Sequence, residues 1–417
     1  MRIVDSIFAS AEAHDMRVVD GEYQLDNAAL RAAVATLGGR LRELQCERVA
    51  ILAGNGVGWI VADLAVADAE LVCIPLPGFF SATQLTQVIN SIGPDVILTD
   101  EPSRVLGLLA ERSTRPSLSV GFGLTLIHTG CDTGSALPEG TRKVTFTSGS
   151  TAAPKGVCLS SSNQYAVAGA LRDALRMDKP RHLCLLPLCV LLENVGGVYV
   201  ALLSAGCVVV PPAEATGFSG ASNLSVADMC HSLDSYRPTS IILLPQMLVG
   251  LVAAMQAGWQ PPPELRFAAV GGAKLPPGLV EAARRLQLPV YEGYGLSETA
   301  SVVALNRPGC DAPGTAGRPL AHVSIASEDD ELIVRGNHFL GYAGDRSTWY
   351  PEVIKTGDLG SIDAEGFVHI RGRSKNLLIS SFGRNISPEW PESALLANSA
   401  IAECIVFGDG RPHCIAL

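Results

Sequence analysis

Short apolar runs alternate with helical patterns along most of the chain, and this alternation limits the possible fold more than any other feature. Residues 48–53 (RVAILA), 71–76 (LVCIPL) and 95–99 (DVILT) predict buried strands, and residues 57–69 and 81–91 between them predict helices. The order strand, helix, strand is typical of parallel strands joined by crossover helices. We therefore predict an α/β fold with a large N-terminal domain of parallel or mixed sheets and flanking helices.

The pattern changes in the last third of the chain. Residues 331–336 (ELIVRG) and 366–370 (GFVHI) are short apolar runs bounded by Gly and Asp turns, and they predict a small β-rich subdomain of about residues 304–372. Together with the preceding α/β part, this subdomain completes a predicted N-terminal core of residues 1–372. Residues 373–417 are predicted to form a hinge and the beginning of a small α+β C-terminal domain.

Composition excludes several classes of protein. The 417 residues carry a net charge of -10, so no basic surface for nucleic acid is expected. The 11 cysteines show no zinc-site spacing, and they predict reduced thiols in a cytoplasmic protein. Residues 194–213 are uncharged and long enough to cross a membrane, but Gly196-Gly197 and Pro211-Pro212 interrupt them. We therefore predict a buried helix followed by a strand there, and no transmembrane span.

The strongest local signal is residues 144–157 (VTFTSGSTAAPKGV), where a strand leads into a loop of hydroxyl residues, glycines and one lysine. Backbone N–H groups, hydroxyls and an ammonium group together can bind a polyphosphate, although the spacing is not that of a P-loop. The alternative is a polar surface loop. The residues predicted to bind phosphate are Thr147, Ser148, Gly149, Ser150, Thr151 and Lys155.

This loop resembles the phosphate loop of the adenylate-forming superfamily, which contains acyl-CoA and aryl-CoA synthetases, nonribosomal peptide adenylation domains and luciferases. Three further segments match in the expected order. Residues 291–299 (YEGYGLSET) resemble the adenylate-binding motif, and residues 355–360 (KTGDLG) resemble the ribose-binding motif. Residues 371–375 (RGRSK) and 381–388 (SFGRNISP) resemble the hinge and the loop beyond it.

The resemblance implies four catalytic residues. Lys155 would neutralise phosphate charge, and Ser297 would donate to phosphate in place of the usual threonine. Glu298 would be the metal ligand, holding Mg²⁺ against the phosphates, because a hard cation prefers carboxylate oxygen. Lys375 would be the hinge where the C-terminal domain turns between two half-reactions. The alternatives are a surface glutamate for Glu298 and a solvated lysine for Lys375.

The resemblance also implies the nucleotide contacts. Tyr294 would lie against the adenine, with Gly271, Gly272 and Ala273 on its other side. Asp358 would accept both ribose hydroxyls, since a carboxylate can take two donors. A rim tyrosine and a turn aspartate are the alternatives for Tyr294 and Asp358. The residues expected to bind the nucleotide outside the phosphate loop are Gly271, Gly272, Ala273, Glu292, Gly293, Tyr294, Gly295, Ser297, Asp358 and Arg373.

The function implied by the resemblance is ATP-dependent activation of a carboxylic acid to an acyl-adenylate, followed by transfer to coenzyme A. The cofactors would be ATP, Mg²⁺ and coenzyme A. Residues 186–197 (LPLCVLLENVGG) resemble the corresponding motif of long-chain synthetases, so a fatty acid is the expected substrate. Transient contact with a membrane would suit such a substrate. The acceptor could instead be a carrier protein or another group.

Three features depart from the family. Ala152 stands where the phosphate loop usually has glycine, and Val190 stands where related synthetases often have histidine. The family's C-terminal domain is longer and ends near a catalytic lysine, but no lysine follows Lys375 here. We expect a chain truncated within that domain. The alternative is a nucleotide-binding or acyl-binding protein with weak catalysis.

Overall fold

In the computed structural model, two compact units are formed by the chain. The structure describes residues 2–109, 117–131, 133–147, 154–219, 223–276, 278–379, 381, 385–396, 401 and 404–417. The first unit consists of Met1–Pro238, Ser297–Ser301 and His338–Pro351. The second unit consists of Thr239–Leu296, Val302–Asn337 and Glu352–Leu417. The boundary predicted between residues 372 and 373 stays a prediction.

An eight-stranded mixed sheet is the main element of the first unit. In spatial order its strands are Gly341–Tyr342, Lys155–Leu159, Lys143–Thr147, Val72–Pro75, Arg48–Leu52, Val96–Thr99, Leu124–His128 and Leu118–Gly121. The four central strands, Lys143–Thr147 to Val96–Thr99, pair in parallel. The flanking strands pair antiparallel. The predicted alternation thus produces a parallel centre, and hairpins add the rest of the sheet.

Helices cover this sheet because their sequences are apolar on the side that packs. In the helix Val57–Asp68, the first ten residues are all buried. Ala82–Ile92 begins at a capping box, in which the Ser81 hydroxyl accepts from the Gln84 N–H and the Gln84 side chain accepts from the Ser81 N–H. It ends at Gly93, whose φ of 63° suits a residue without Cβ. The other helices of the first unit are Ile3–Ala9, Asn27–Glu43, Pro102–Leu108, Ser161–Leu175, Leu191–Glu193, Val200–Leu203, Ala213–Thr216 and Val226–Tyr236, with single 3₁₀ turns at Ser297–Thr299 and Arg346–Thr348.

A second group of strands in the first unit lies next to a π-helix. Arg181–Leu183, Cys207–Val209 and Met16–Val19 pair in parallel, and Gln24–Asp26 extends them antiparallel. The π-helix, Asn194–Tyr199, leads into the helix Val200–Leu203, and the strand Cys207–Val209 follows, so the predicted order of helix and then strand is observed. None of the described helices has the length and hydropathy that a membrane crossing requires. A short hairpin, Phe218–Ser219 with Asn223–Leu224, completes the unit.

A buried ion pair joins the sheet to two helices of the first unit. Lys143 Nζ lies 2.8 Å from Asp63 Oδ1, and both side chains are only 2% exposed. Asn194 Nδ2 and the Tyr199 hydroxyl both donate to Asp63 Oδ2, at 3.0 and 2.6 Å. Because each charge has hydrogen-bonding partners, the desolvation cost of burying the pair is partly offset. Lys143 Nζ also donates to Asn194 Oδ1 and to the Tyr199 hydroxyl, so both ends of the π-helix are fixed to the sheet as well as to the helix Val57–Asp68.

The second unit contains a parallel sheet and a smaller antiparallel sheet. Ser240–Leu243, Phe267–Val270 and Val290–Leu296 pair in parallel, and the helix Pro245–Gln256 follows the first of them. Helix Leu279–Arg285 connects the second and third strands. The strand Ser301–Leu305 lies beside Val290–Leu296, and all of its residues except Ser301 belong to this unit. Arg318–Pro319 pairs antiparallel with Ser301–Leu305.

The antiparallel sheet corresponds to the predicted β-rich subdomain. Its strands, in spatial order, are Val323–Glu328, Glu331–Gly336, Ile354–Ile362 and Val368–Arg373. Leu332 and Val368 are fully buried and pack with Ala304 and Ala316 in one apolar cluster. The remaining elements are a 3₁₀ turn at Ser374–Asn376, the helix Glu389–Leu396, and the strand pairs Leu378–Ile379 with Asn385–Ile386 and Val406–Phe407 with Ile415–Ala416. The predicted mixed α/β class is confirmed.

Candidate functional site

The predicted phosphate loop connects two neighbouring antiparallel strands of the first unit. Thr147 is the last residue of one strand and Lys155 is the first residue of the next, and the two residues are paired in register. Lys155 is exposed and Thr147 is partly buried. Ser148, Gly149, Ser150, Thr151 and Ala152 lie outside the described residues. The structure therefore fixes both ends of the loop.

Lys155 and Glu298 both contact the same tyrosine in the first unit. The Tyr342 hydroxyl donates to Glu298 Oε1 at 2.8 Å. Lys155 Nζ lies 5.4 Å from the centre of the Tyr342 ring, a cation–π distance. Burial and the neighbouring Glu298 carboxylate raise the pKa of Tyr342, so its hydroxyl stays a donor at neutral pH. Two predicted catalytic residues are thus connected by a residue that the sequence analysis did not select.

Glu298 fits the role of a single magnesium ligand. It lies in the short 3₁₀ turn Ser297–Thr299 and is partly buried. Among the described residues, Oε1 takes the bond from Tyr342, and no bond is found at Oε2. Mg²⁺ usually binds one or two carboxylates together with phosphates and water. The oxygen that remains suits that chemistry. Ser297 lies beside Glu298 at the start of the same turn, also partly buried.

Asp358 is the buried centre of a polar cluster in the second unit. Its side chain lies in the strand Ile354–Ile362, and the residue is 4% exposed. The Tyr294 hydroxyl donates to Oδ2, and Arg373 Nε lies 2.8 Å from Oδ1. Asp358 and Arg373 face each other across the antiparallel pair of strands. The Thr356 hydroxyl accepts from the Asp358 N–H at 3.0 Å. The donors on both oxygens fix the plane of the carboxylate.

Tyr294 and Glu292 lie on the strand Val290–Leu296 of the second unit. Burial and the neighbouring Asp358 raise the pKa of Tyr294, which therefore remains a neutral donor. Burial raises the pKa of Glu292 to about 7, although the Gly314 N–H donates to its Oε2 at 2.7 Å. Gly295, on the same strand, is exposed. The structure brings Tyr294, Asp358 and Arg373 together, and it places Glu292 against the backbone at Gly314 instead.

The predicted adenine-lining glycines follow the strand Phe267–Val270. A Cβ at Gly271 would lie 3.0 Å from the Gly293 carbonyl oxygen, so this position leaves little room for a side chain. Gly272 has a φ of 86°, a conformation that favours glycine. Gly272 and Ala273 are exposed. The backbone is therefore accessible at Gly272 and Ala273, and the predicted contact of these residues with adenine stays a prediction.

Lys375 is the last of the predicted catalytic residues. It is exposed, in the 3₁₀ turn Ser374–Asn376 that directly follows the strand Val368–Arg373. This position, at the end of a paired strand, is compatible with a hinge, and the predicted role stays a prediction. Tyr342 and Thr356 are the residues that sequence reasoning missed. No local sequence pattern marked Tyr342, because its hydrogen-bonding partner Glu298 is 44 residues away in the chain.

A second group of metal-binding residue types lies in the interior of the first unit. The ligand atoms of His182, Cys184 and Glu193 lie within 4.8 Å of one another, and all three residues are buried. However, His182 Nε2 is 2.7 Å from Glu193 Oε1, and the Leu186 N–H donates to Glu193 Oε2 at 2.9 Å. Both carboxylate oxygens are thus already bonded. We interpret the group as a hydrogen-bonded part of the core.

Comparison with known proteins identifies the family. The sequence profile of the family described as "AMP-binding enzyme" matches residues 8–338. The chain therefore belongs to the AMP-binding enzyme family. It is 34% identical over 293 residues to a 2-succinylbenzoate–CoA ligase of Bacillus velezensis, which covers 66% of this chain and 57% of that protein. It is 26% identical, over an alignment of 451 positions, to the long-chain-fatty-acid–CoA ligase FadD15 of Mycobacterium bovis. This alignment covers 89% of this chain and 72% of that protein. The chain spans a little over half the length of the first of these relatives.

Solved structures agree with this fold. O-succinylbenzoate coenzyme A synthetase of Bacillus subtilis, in complex with ATP and magnesium ion, superposes with a TM-score of 0.79 at 24% identity, covering 100% of this chain and 88% of that chain. The anthranilate CoA ligase AuaEII superposes with a TM-score of 0.83 at 17% identity, covering 98% and 83%. At these identities the similarity establishes the fold alone.

Proposed function

We propose that this chain activates a carboxylic acid with ATP to give an acyl-adenylate and pyrophosphate, and then transfers the acyl group to coenzyme A. The observation that carries the proposal is the Asp358 cluster. A buried carboxylate oriented by Tyr294 and Arg373 occurs in the motif that resembles the ribose-binding motif, in a chain of the AMP-binding family. Such a group is suited to accept the two hydroxyls of a ribose.

The nucleotide would be held by residues with separate tasks. Asp358 would accept the ribose hydroxyls, and Arg373 would keep that carboxylate oriented. Tyr294 uses its hydroxyl for Asp358, so its ring is left for apolar contact with adenine. Gly271 and Gly272 would allow the base to approach the backbone closely, because neither position carries a side chain.

The phosphates would be held by groups of the first unit. Lys155 would place a positive charge beside the phosphates, and Ser297 would donate a hydrogen bond to them. Glu298 would hold Mg²⁺, which when bound neutralises phosphate charge. The first step breaks the bond between the α-phosphorus and the bridging oxygen while the substrate carboxylate oxygen forms a new bond to phosphorus. It needs positioning and charge neutralisation more than covalent help from the protein.

The second step would exchange AMP for a thiol. The thiolate sulfur of coenzyme A attacks the acyl carbon, the bond from that carbon to the AMP oxygen breaks, and the thiol proton leaves to solvent. Lys375 is the residue at which the chain would turn between the two steps, since it lies two positions beyond Arg373, the last paired residue of the strand Val368–Arg373. The acceptor is proposed from the resemblance and from the names of the relatives, which are CoA ligases.

The proposed acid is a fatty acid. Residues 183–203 contain one charged side chain, Glu193, and this carboxylate is already bonded to His182. A dicarboxylate would require a cation for its second carboxylate, because an unpaired buried charge is costly. The segment resembles that of long-chain synthetases and offers no such cation. The second candidate is 2-succinylbenzoate, favoured by the name of the Bacillus velezensis relative, which is 34% identical.

Pyrophosphate release measures the first step directly. The purified chain would be incubated with ATP and Mg²⁺ and with hexanoate, dodecanoate, hexadecanoate, benzoate or 2-succinylbenzoate. We expect the fastest release with a medium or long fatty acid, and thioester formation when coenzyme A is added. Faster release with 2-succinylbenzoate would replace the proposed substrate. Thioester formed only on a carrier protein would replace the acceptor.

A matched pair of variants connects this assay to the site. Glu298→Gln removes the proposed Mg²⁺ ligand and keeps the size of the side chain. We expect it to slow pyrophosphate release by about a hundredfold or more, the scale seen when one charge-stabilising group is removed. Glu352→Gln makes the same change at an exposed residue and should leave the rate unchanged. If no acid supports release while AMP binds tightly, the chain is a nucleotide-binding protein without turnover.

A further inference from the structure

Tyr342 lies between the two groups that are expected to meet the ATP phosphates. Its hydroxyl donates to Glu298 Oε1 at 2.8 Å, and its ring face lies 5.4 Å from Lys155 Nζ. One end of the side chain thus contacts the anionic group and its face contacts the cationic group. All three residues belong to the first unit. No other described residue hydrogen-bonds to the Glu298 carboxylate.

Tyr342 is itself held through its backbone and through its ring. The backbone pairs in register with Val157, two residues beyond Lys155. The Tyr342 N–H donates to the Thr348 hydroxyl, and Trp349 Nε1 donates to the Tyr342 carbonyl, both at 2.9 Å. The Phe339 ring packs edge-on against the Tyr342 ring at 5.0 Å. A side chain fixed in this way can transmit its position to the groups that it contacts.

We propose that Tyr342 is a positioning residue that orients Glu298 for Mg²⁺ and holds Lys155 beside it, and this inference rests on the proposed function. The phenol hydroxyl takes one acceptor position of Oε1 and so fixes the plane of the carboxylate. The other oxygen, Oε2, is then presented in one direction. The ring face limits where the Lys155 ammonium can lie. Tyr342 itself takes no part in bond making or breaking.

The neutral phenol is essential to this arrangement. A phenolate would be an acceptor and would repel Glu298. A merely structural tyrosine would not require its hydroxyl, since the ring alone would supply the packing against Phe339.

Tyr342→Phe tests the role of the hydroxyl. Free Mn²⁺ would be measured by electron paramagnetic resonance while the metal is titrated into protein saturated with a non-hydrolysable ATP analogue. We expect the variant to bind Mn²⁺ about tenfold more weakly, the scale of one hydrogen bond to a charged group. Pyrophosphate release should require correspondingly more Mg²⁺. Melting temperature is measured in parallel, so that a folding defect is separated from a site effect.

Tyr350→Phe is the matched control. Tyr350 lies eight positions further along the same segment and is 53% exposed, and among the described residues its hydroxyl donates only to the Glu139 carbonyl, at 3.3 Å. We expect no change in Mn²⁺ affinity for this variant. Equal Mn²⁺ affinities for Tyr342→Phe and the unmodified protein would overturn the positioning role.

A double variant shows whether Tyr342 acts through Glu298. In Glu298→Gln the carboxylate is already absent, so adding Tyr342→Phe should weaken Mn²⁺ binding less than twofold further, by the logic of a double-mutant cycle. Additive losses would show that the hydroxyl acts independently of Glu298 and would overturn the inference. The metal titration needs no turnover. A chain that releases no pyrophosphate with any acid would therefore refute the proposed function and still leave the positioning role measurable.

Discussion

The hydrogen-bond donors around Asp358 provide a test of its proposed role in binding ribose. In Asp358→Asn one carboxylate oxygen becomes an amide group, which then meets either the Tyr294 hydroxyl or the Arg373 guanidinium as donor against donor. We expect AMP binding, measured by titration calorimetry, to weaken about 10- to 100-fold. Asp363→Asn is the control, because it breaks only the partly exposed pair with His369 and should bind AMP normally. Equal losses in both variants would contradict a ribose site at Asp358.

Glu292 gives the protein a predictable dependence of stability on pH. Burial raises its pKa in the folded state to about 7, above its ordinary 4.5. The folded protein therefore holds this proton more tightly than the unfolded chain does. Protonated Glu292 therefore contributes to the free energy of unfolding. This contribution is complete below about pH 4.5 and is lost as the pH rises to about 7. Above pH 7 the ionised Glu292 costs roughly 2–4 kcal/mol.

Glu292→Gln resembles the protonated side chain and keeps an acceptor for the Gly314 N–H. We expect the variant to be more stable than the unmodified protein at pH 8 and close to it at pH 5, by urea unfolding. His322 titrates in the opposite sense, since burial lowers its pKa to about 4. It is present in both proteins, so its effect cancels in the comparison. A stability difference that is the same at both pH values would refute the buried-glutamate argument.

At the level of single residues, the sequence selected the parts of the candidate site that occur in contiguous motifs, and their roles stay predictions. Glu298 and Asp358 were selected from short runs of residues, and both lie in polar clusters. Tyr342 was missed because its role depends on strand pairing with Val157, which no local pattern encodes. The pairing of Arg373 with Asp358 was missed for the same reason, although Arg373 itself was selected.

Among the elements, two glycines in neighbouring helical segments make a matched test of packing. A Cβ at Gly197, in the π-helix, would collide with His182 and Glu193, whereas one at Gly169, in the helix Ser161–Leu175, meets nothing within 4 Å. We expect Gly197→Ala to destabilise the protein by about 1–3 kcal/mol through overpacking. Gly169→Ala should stabilise it by up to about 1 kcal/mol, because alanine favours helix. Thermal unfolding measures both. A stabilising Gly197→Ala would mean that the His182–Glu193 pair moves easily.

Helix and strand positions were predicted well where the apolar period was regular. The helix predicted at residues 57–69 is observed at Val57–Asp68, and the strand predicted at 95–99 is observed at Val96–Thr99. The strand predicted at 366–370 is shifted to Val368–Arg373, because Gly366 adopts a turn with a φ of 85°. The π-helix Asn194–Tyr199 was not predicted, since its wider turn leaves no distinct apolar period in six residues.

Across the whole molecule, the cysteines report how tightly the chain is packed. Native protein treated with iodoacetamide at neutral pH should be modified mainly at the partly exposed thiols. Mass spectrometry of peptides from the treated protein measures which thiols have reacted. The partly exposed cysteines are Cys131, Cys207, Cys310, Cys404 and Cys414. The buried ones are Cys46, Cys73, Cys158, Cys184, Cys189 and Cys230. These should react only after unfolding, because the thiolate is the nucleophile and burial raises, for example, the pKa of Cys158 to about 12. Rapid labelling of Cys73 or Cys184 in the native state would contradict the packing described.

The overall topology was predictable only in part. The alternation of strand and helix implied parallel strands, and the centre of the eight-stranded sheet has them. The antiparallel strands at both of its edges did not follow from that rhythm, because strand order depends on contacts between distant segments. Gly341–Tyr342 is the clearest case. This two-residue strand forms the edge of the sheet by pairing antiparallel with Lys155–Leu159, from which it is distant in sequence.

The register between Asp358 and Arg373 has a mechanical consequence. Arg373 is the last residue of its strand, and Lys375 follows two positions later. The strand Val368–Arg373 is fixed by its pairing with Ile354–Ile362 and by the ion pair of Arg373 with Asp358. A torsional change at Lys375 would therefore begin just beyond a fixed residue. Asp358, the carboxylate proposed to bind ribose, would then lie on the fixed side of such a rotation. A ligand bound to Asp358 would keep its place while the chain downstream turned.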